Sequence, residues 1–135
     1  MRRSTTCALA ALLVLAFAPA AARGAVFFHS PTGNIGCGVS RDGARCDIRQ
    51  HDWKAPPKPR GCHQDWGYGL TLGKQGRGRF FCAGDSLLGL GRGLRYGHSI
   101  RRGRFKCTSR TDGVRCVNRR TKHGFKLSRE HARRF

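Results

Sequence analysis

Histidine next to serine occurs twice in this chain, as His29-Ser30 and His98-Ser99. An imidazole beside a hydroxyl is the raw material of nucleophilic catalysis. Neighbouring residues on a strand point to opposite faces, however, so neither pair is a hydrogen-bonded dyad within itself. The cross-pair of His29 with Ser99 is the arrangement left. His29, His98 and His123, with arginines to hold a phosphate, are also the residue types of a ribonuclease-like site. Nothing in their spacing makes these groups converge, so a small secreted nuclease-like enzyme ranks third among the readings and no catalytic residue is assigned. Metal chemistry fares no better. Cys-x2-Cys and His-x3-His spacings are absent, and Cys62 and His63 face opposite ways in extended chain. Gly69-x3-Gly73-Lys74-Gln75 lacks the spacing and the Ser/Thr of a phosphate loop. The sequence calls for no metal and no cofactor.

Arginine is the more informative residue type. Lysine and arginine number 27 against 7 acidic residues, a formal charge of +20. Fifteen of the cations lie between Arg92 and Arg134, where Asp112 and Glu130 are the acids. A field of one sign attracts polyanions whatever their sequence. A net charge above ~8 on a small domain exceeds what solubility needs. The plain alternative is a solvated cationic surface. Arg101, Arg102, Arg104, Arg119, Arg120 and Lys122 flank one cysteine-bounded segment and are the expected polyanion contacts. Arg77-Gly78-Arg79-Phe80 and Arg102-Gly103-Arg104-Phe105 resemble RNA-binding Arg-Gly runs, but a turn opening a strand explains them better.

The chain begins with Arg2-Arg3, then an apolar run from Cys7 to Phe17, then Pro19 and the small residues Ala20-Ala21-Ala22. That order predicts a secretory signal peptide over residues 1–22, too short to span a bilayer, with cleavage after Ala22. A mature domain over 23–135 then carries a net charge of +18 once Arg2 and Arg3 are removed. No second apolar run follows, so no transmembrane segment remains. The expected location is the extracellular or periplasmic envelope space.

Removal of Cys7 leaves Cys37, Cys46, Cys62, Cys82, Cys107 and Cys116, an even set in an oxidising compartment and hence a disulfide framework. Residues 37–46 and 107–116 share the frame Cys-x4-Asp-Gly-x-Arg-Cys. Asp-Gly is a turn signal between extended flanks, so each copy reads as a hairpin with a cysteine on each arm. Facing cysteines on antiparallel strands come within bonding range, which favours Cys37–Cys46 and Cys107–Cys116 and leaves Cys62 for Cys82. Gly-x-(Ile/Phe)-x-Cys recurs at 33–37, 78–82 and 103–107, which predicts Ile35, Phe80 and Phe105 inward beside their cysteines.

Elsewhere, Ala55–Pro59 is extended crossing chain, 67–73 alternates like a strand, and Asp85–Gly93 is an irregular glycine- and leucine-rich loop. Gly124–Leu127 is a late strand. Ser128 is placed to cap a short helix through Arg134. Many short strands with dense glycine give an all-β fold, a small disulfide-stapled sandwich or barrel built on the two hairpins.

Phe28-His29-Ser30-Pro31-Thr32-Gly33-Asn34-Ile35-Gly36-Cys37, with Arg45-Cys46-Asp47-Ile48 and Trp53-x2-Pro56, resembles the opening of an uncharacterised family of small secreted bacterial proteins (Phe-x-Ser-Pro-x-Gly-Asn-Ile-x-Cys). Tyr96-Gly97-x-Ser99, Gly113-Val114-Arg115-Cys116-x-Asn118 and His123-Gly124-Phe125-x-Leu127-Ser128 resemble its closing half. This chain is more arginine-rich than the family pattern. The resemblance implies fold and export and brings no activity with it.

The leading expectation is therefore a monomeric, exported, non-enzymatic binding module for an anionic envelope glycopolymer, lipid headgroup or nucleic acid. The second is an inhibitor of a secreted hydrolase such as a lysozyme or protease. It would act through Asp85–Arg95 or the Asp42-Gly43 and Asp112-Gly113 tips, because disulfides pre-organise an inserted loop.

Overall fold

The computed structural model describes residues 24–135, so the signal-peptide reading of residues 1–22 lies outside it. Twelve strands follow in order: β1 (Val26–His29), β2 (Ile35–Val39), β3 (Ala44–Ile48), β4 (Asp65–Trp66), β5 (Gly69–Leu72), β6 (Cys82–Ala83), β7 (Arg92–Gly93), β8 (Ser99–Arg102), β9 (Phe105–Arg110), β10 (Gly113–Asn118), β11 (Gly124–Leu127) and β12 (Ala132–Arg134). One sheet runs β5-β3-β2-β1-β7 and the other β12-β11-β10-β9-β8, with β4 and β6 forming a small pair of their own. The sheets stay open and pack face to face, so the fold is a sandwich and not a barrel. No described helix is long and apolar enough to cross a membrane.

Each sheet contains the same antiparallel meander. β1-β2-β3-β5 in the first corresponds to β8-β9-β10-β11 in the second. The repeated frame forms the central hairpin of each, with Cys37 opposite Cys46 and Cys107 opposite Cys116. Both pairs are bonded, with Cα atoms 4.1 and 4.0 Å apart, and Cys62 is bonded to Cys82. Three disulfides are typical of extracellular proteins. The two hairpin disulfides meet at the centre of the sandwich, where Cys46 Sγ lies 3.7 Å from Cys116 Sγ. Around them pack Phe28, Ile35, Val39, Ile48, Leu70 and Leu72 from one sheet and Phe105, Val114, Phe125 and Leu127 from the other. Full burial of each such side chain is worth ~1.5–3 kcal/mol, enough to order short strands that have little stability singly.

The two frame glycines turn out to be needed for different reasons. Gly113 has φ 122° at the β9–β10 tip, where an L side chain is strained, and a Cβ there would also strike the Leu127 carbonyl. Gly43 has no positive φ, and its constraint is the close approach of the Leu72 carbonyl of β5.

Two expectations are corrected. The C-terminal helix is instead strand β12, paired with β11. Ser128 does accept a hydrogen bond from the His131 amide at 3.0 Å, but the turn it closes leads straight back along the sheet. Gly124 and Phe135 then exchange backbone hydrogen bonds, which satisfies an edge that a helix would have left open. In the 78–82 copy of Gly-x-(Ile/Phe)-x-Cys, Cys82 is exposed and Phe80 only half-buried. That segment reaches the first sheet through one bridge, Thr71 to Arg79, before Cys82 and Ala83 pair with β4. Without a long partner strand, inside and outside are not enforced there.

Candidate binding face

Alternation along the second sheet is set by its cysteines. Cys107 and Cys116 point inward, so Lys106, Thr108, Arg110, Arg115 and Val117 point outward. Register carries this across the sheet: Ser99, Thr108, Arg115, Lys126 and Arg133 form one row over all five strands. Arg101 and Lys106 stand opposite each other in the next row. The outer face therefore presents Arg101, Lys106, Arg110, Arg115, Lys126 and Arg133. Arg115, Lys126 and Arg133 are directly opposed neighbours, an arrangement that costs stability. One acid relieves it: Asp112 is ion-paired to Lys126, whose hydrogen bond holds the Asp112 carboxyl below its ordinary range. Arg115 also lies over the Phe135 ring, 4.8 Å from its centroid.

The residues expected from sequence gather at one end of this same sheet. Arg101 and Arg102 end β8, Arg104 sits in the β8–β9 turn, and Arg119, Arg120 and Lys122 form the β10–β11 turn. The two turns touch, since the Arg119 amide donates to the Arg104 carbonyl at 2.8 Å. Among the described residues none of these six side chains is in an ion pair. Arg102 departs from the others, because it falls on the inward parity of β8 beside Phe105. Its guanidinium donates to the Arg101 carbonyl at 3.0 Å.

Buried Asn118 builds this end. Its side-chain oxygen accepts from the amides of Arg120 (3.1 Å) and Thr121 (3.4 Å), and its carbonyl accepts from Lys122, whose φ is 67°. Its Nδ2 reaches across to the Lys74 carbonyl at 3.1 Å, fixing the loop after β5. Lysine and arginine of the turn are thus held on a frame of satisfied backbone groups. Asn118, and the outward cations Lys106, Arg110, Arg115, Lys126 and Arg133, were not among the expected contacts. The parity of Cys107 and Cys116 is the signal that finds the cations.

The equivalent face of the first sheet is covered. Gly36 and Gly38 occupy the places of Lys106 and Thr108, and the chain around Leu87 lies on them. A Cβ at Gly36 would meet the Leu87 carbonyl. Fully buried Asp47 anchors this strap by accepting from the Leu87 amide at 2.8 Å. Arg45 closes it, donating to both Asp47 carboxylate oxygens at 2.9 Å and to Asp85 at 3.0 Å, with its guanidinium 4.3 Å from the Phe81 ring centroid. Tyr68 adds its hydroxyl, which donates to the Asp85 carbonyl at 2.9 Å, and burial raises its phenol above its ordinary value. The start of the Asp85–Arg95 loop, an expected inhibitory element, is therefore fastened to the body. The Asp42 tip is tied as well, to Lys74 at 2.8 Å.

The histidine and serine candidates remain separate. The His29 ring bonds the Ser30 carbonyl at 2.9 Å, and the Ser99 hydroxyl bonds Thr108 at 2.7 Å. His98 and His123 are exposed in turns. The sulfurs of Cys46, Cys107 and Cys116 lie within 4.8 Å of one another, a spacing that metal ligands share. All three are oxidised, so the cluster is two disulfides in contact and offers no thiolate.

Fold and site define a disulfide-stapled β-sandwich with one strapped sheet face and one bare cationic face. The chain belongs to DUF6636, a family of unknown function, whose model matches residues 8–135. No curated protein and no solved structure matches it.

Proposed function

We propose that this protein is an exported, non-enzymatic module that holds an anionic envelope glycopolymer against the outer face and basic end of its second sheet. The observation that carries the reading is the register of Arg115, Lys126 and Arg133 on three adjacent strands. Strands lie ~4.8 Å apart, so a polyanion crossing them meets a cation at each step. Placing like charges opposite each other works against folding; Asp112 offsets this at Lys126, and an anion lying across the row would offset it at Arg115 and Arg133 as well. The basic turns at the end of the sheet extend the same surface, and arginine favours phosphate and carboxylate through its planar fork of donors.

Cosedimentation with purified cell envelope tests it. Retention at low salt that disappears at high salt is the expected result. Equal retention at both salts, or none at either, overturns the reading. Retention by anionic lipid vesicles or nucleic acid alone, with none by glycopolymer, reassigns the ligand.

A further inference from the structure

A second site lies at the opposite end of the sandwich. There the β1–β2 loop, the chain leaving β3, Tyr96, the β9–β10 tip and the β11–β12 turn enclose a cleft of about 600 Å³. That size falls in the range of small-ligand sites, ~300–1,000 Å³. Its lining residues are mostly of polar type, bringing hydroxyl, amide, guanidinium and carboxylate groups together with the apolar surface of Ile35 and the Tyr96 ring.

The walls are prebuilt. Asn34 clasps the chain leaving β3, donating to the Gln50 carbonyl at 3.0 Å and accepting from its amide at 2.9 Å. The Arg49 amide donates to the Asn34 carbonyl at 2.9 Å. On the other wall, Trp53 Nε1 donates to the Ser128 carbonyl and the Asp52 amide to the Arg129 carbonyl, both at 2.9 Å. Inside this frame the working groups are uncommitted. Arg49, Arg110 and Glu130 are exposed and join no ion pair among the described residues. Tyr96 is 42% exposed, a large ring that lines the cleft with part of its surface open to solvent.

We infer that this cleft binds an acidic saccharide, a sugar unit bearing a carboxylate or phosphate. Arg49 and Arg110 supply forks for the anion, Tyr96 supplies a plane for the apolar face of the ring, and Glu130 and Gln50 meet hydroxyls. A peptide adding as an extra strand is disfavoured, because no edge strand of either sheet contributes to the lining. The cleft adjoins the cationic sheet face and shares Arg110 and Asp112 with it, so Arg49 and Tyr96, which lie off that face, are the residues that separate the two sites.

The test is titration of the isotopically labelled, disulfide-bonded chain with digalacturonate, glucose 1-phosphate, neutral cellobiose and inorganic phosphate, read by amide NMR. Shifts at Arg49, Gln50, Tyr96 and Arg110–Gly113 with at least one acidic sugar are expected, and the two acids separate carboxylate from phosphate recognition. Tyr96→Ala and Arg49→Gln are each expected to weaken that binding about tenfold, the scale of a lost charged hydrogen bond or stacking plane, while the exposed Arg60→Gln, outside the cleft, leaves it unchanged. Both residues are exposed, so the fold is not at stake. Three results overturn the assignment: no shifts at millimolar sugar, equal shifts with cellobiose or inorganic phosphate, or binding indifferent to both variants.

Discussion

Arg45 and Arg115 hold the same place in the two copies of the repeated frame, and their surroundings are opposite. Arg45 lies under Phe81 in a network with Asp47, Asp85 and Tyr68, whereas Arg115 stands exposed on a bare sheet. One position in a duplicated unit has become a structural anchor in the first half and a surface charge in the second.

The pair makes a direct comparison. Arg45→Ala strands the fully buried Asp47 carboxylate without its cation, which costs about 3 kcal/mol. Arg115→Ala loses an exposed contact with Phe135 and costs about 0.5 kcal/mol. Denaturant unfolding of both variants measures the gap, and equal losses would show that the Arg45 network is not what holds the strap.

Stability and binding are expected to move in opposite directions at Arg133. Replacing it with Glu gives Lys126 an opposite charge across the strand pair and stabilises by ~0.2–1 kcal/mol. The same change is expected to weaken polyanion retention. A melt and a cosedimentation on the same sample decide it, and a variant that is less stable and equally retained refutes the proposed role of the row.

Reduction is expected to be stepwise. Cys82 is exposed, whereas Cys37, Cys46, Cys107 and Cys116 are fully buried, so mild reductant opens Cys62–Cys82 first. Each closure is worth about 3 kcal/mol in the chain-entropy model, and the logarithmic length dependence keeps the separations of 9 and 20 residues close. Loss of all three leaves the chain largely unfolded at physiological temperature, against a typical total of ~5–15 kcal/mol. Alkylation and mass mapping along a reductant series gives the order; early labelling of Cys46 or Cys116 contradicts it.

Acid is expected to loosen both ion pairs at Asp85 and Asp112. Hydrogen bonds from Arg45 and Lys126 hold these carboxyls below their ordinary range. Depressed folded values mean the stabilisation is present above the unfolded carboxylate pKa of ~3.9 and is lost as pH falls through the folded values. Asp85→Asn with Asp112→Asn flattens that part of the acid unfolding profile. An unchanged profile in the double variant assigns acid sensitivity elsewhere.

The hairpins, their turns and the inward cysteines were legible because each is decided within ten residues, by Asp-Gly and by strand parity. The strap was not. Leu87 is held by Asp47, forty residues away, and Asp85–Gly93 has no periodicity to announce which face it covers. Gly36 and Gly38 were its trace in the sequence, small residues on the outward parity of β2 where the second copy carries Lys106 and Thr108. Ser128 misled for a physical reason: a serine accepting an amide three residues on begins a turn as readily as a helix. The cleft was equally hidden, since its walls come from five separate segments.

The ends of the second sheet bear on how such molecules keep apart from one another. An open sheet exposes unpaired amides and carbonyls along its outermost strands, a template on which a further chain can align and aggregate. Both outermost strands here finish in paired arginines, Arg101-Arg102 on β8 and Arg133-Arg134 on β12. Two copies approaching edge to edge would bring these guanidinium groups together, so their repulsion acts as a gatekeeper against fibrous self-association.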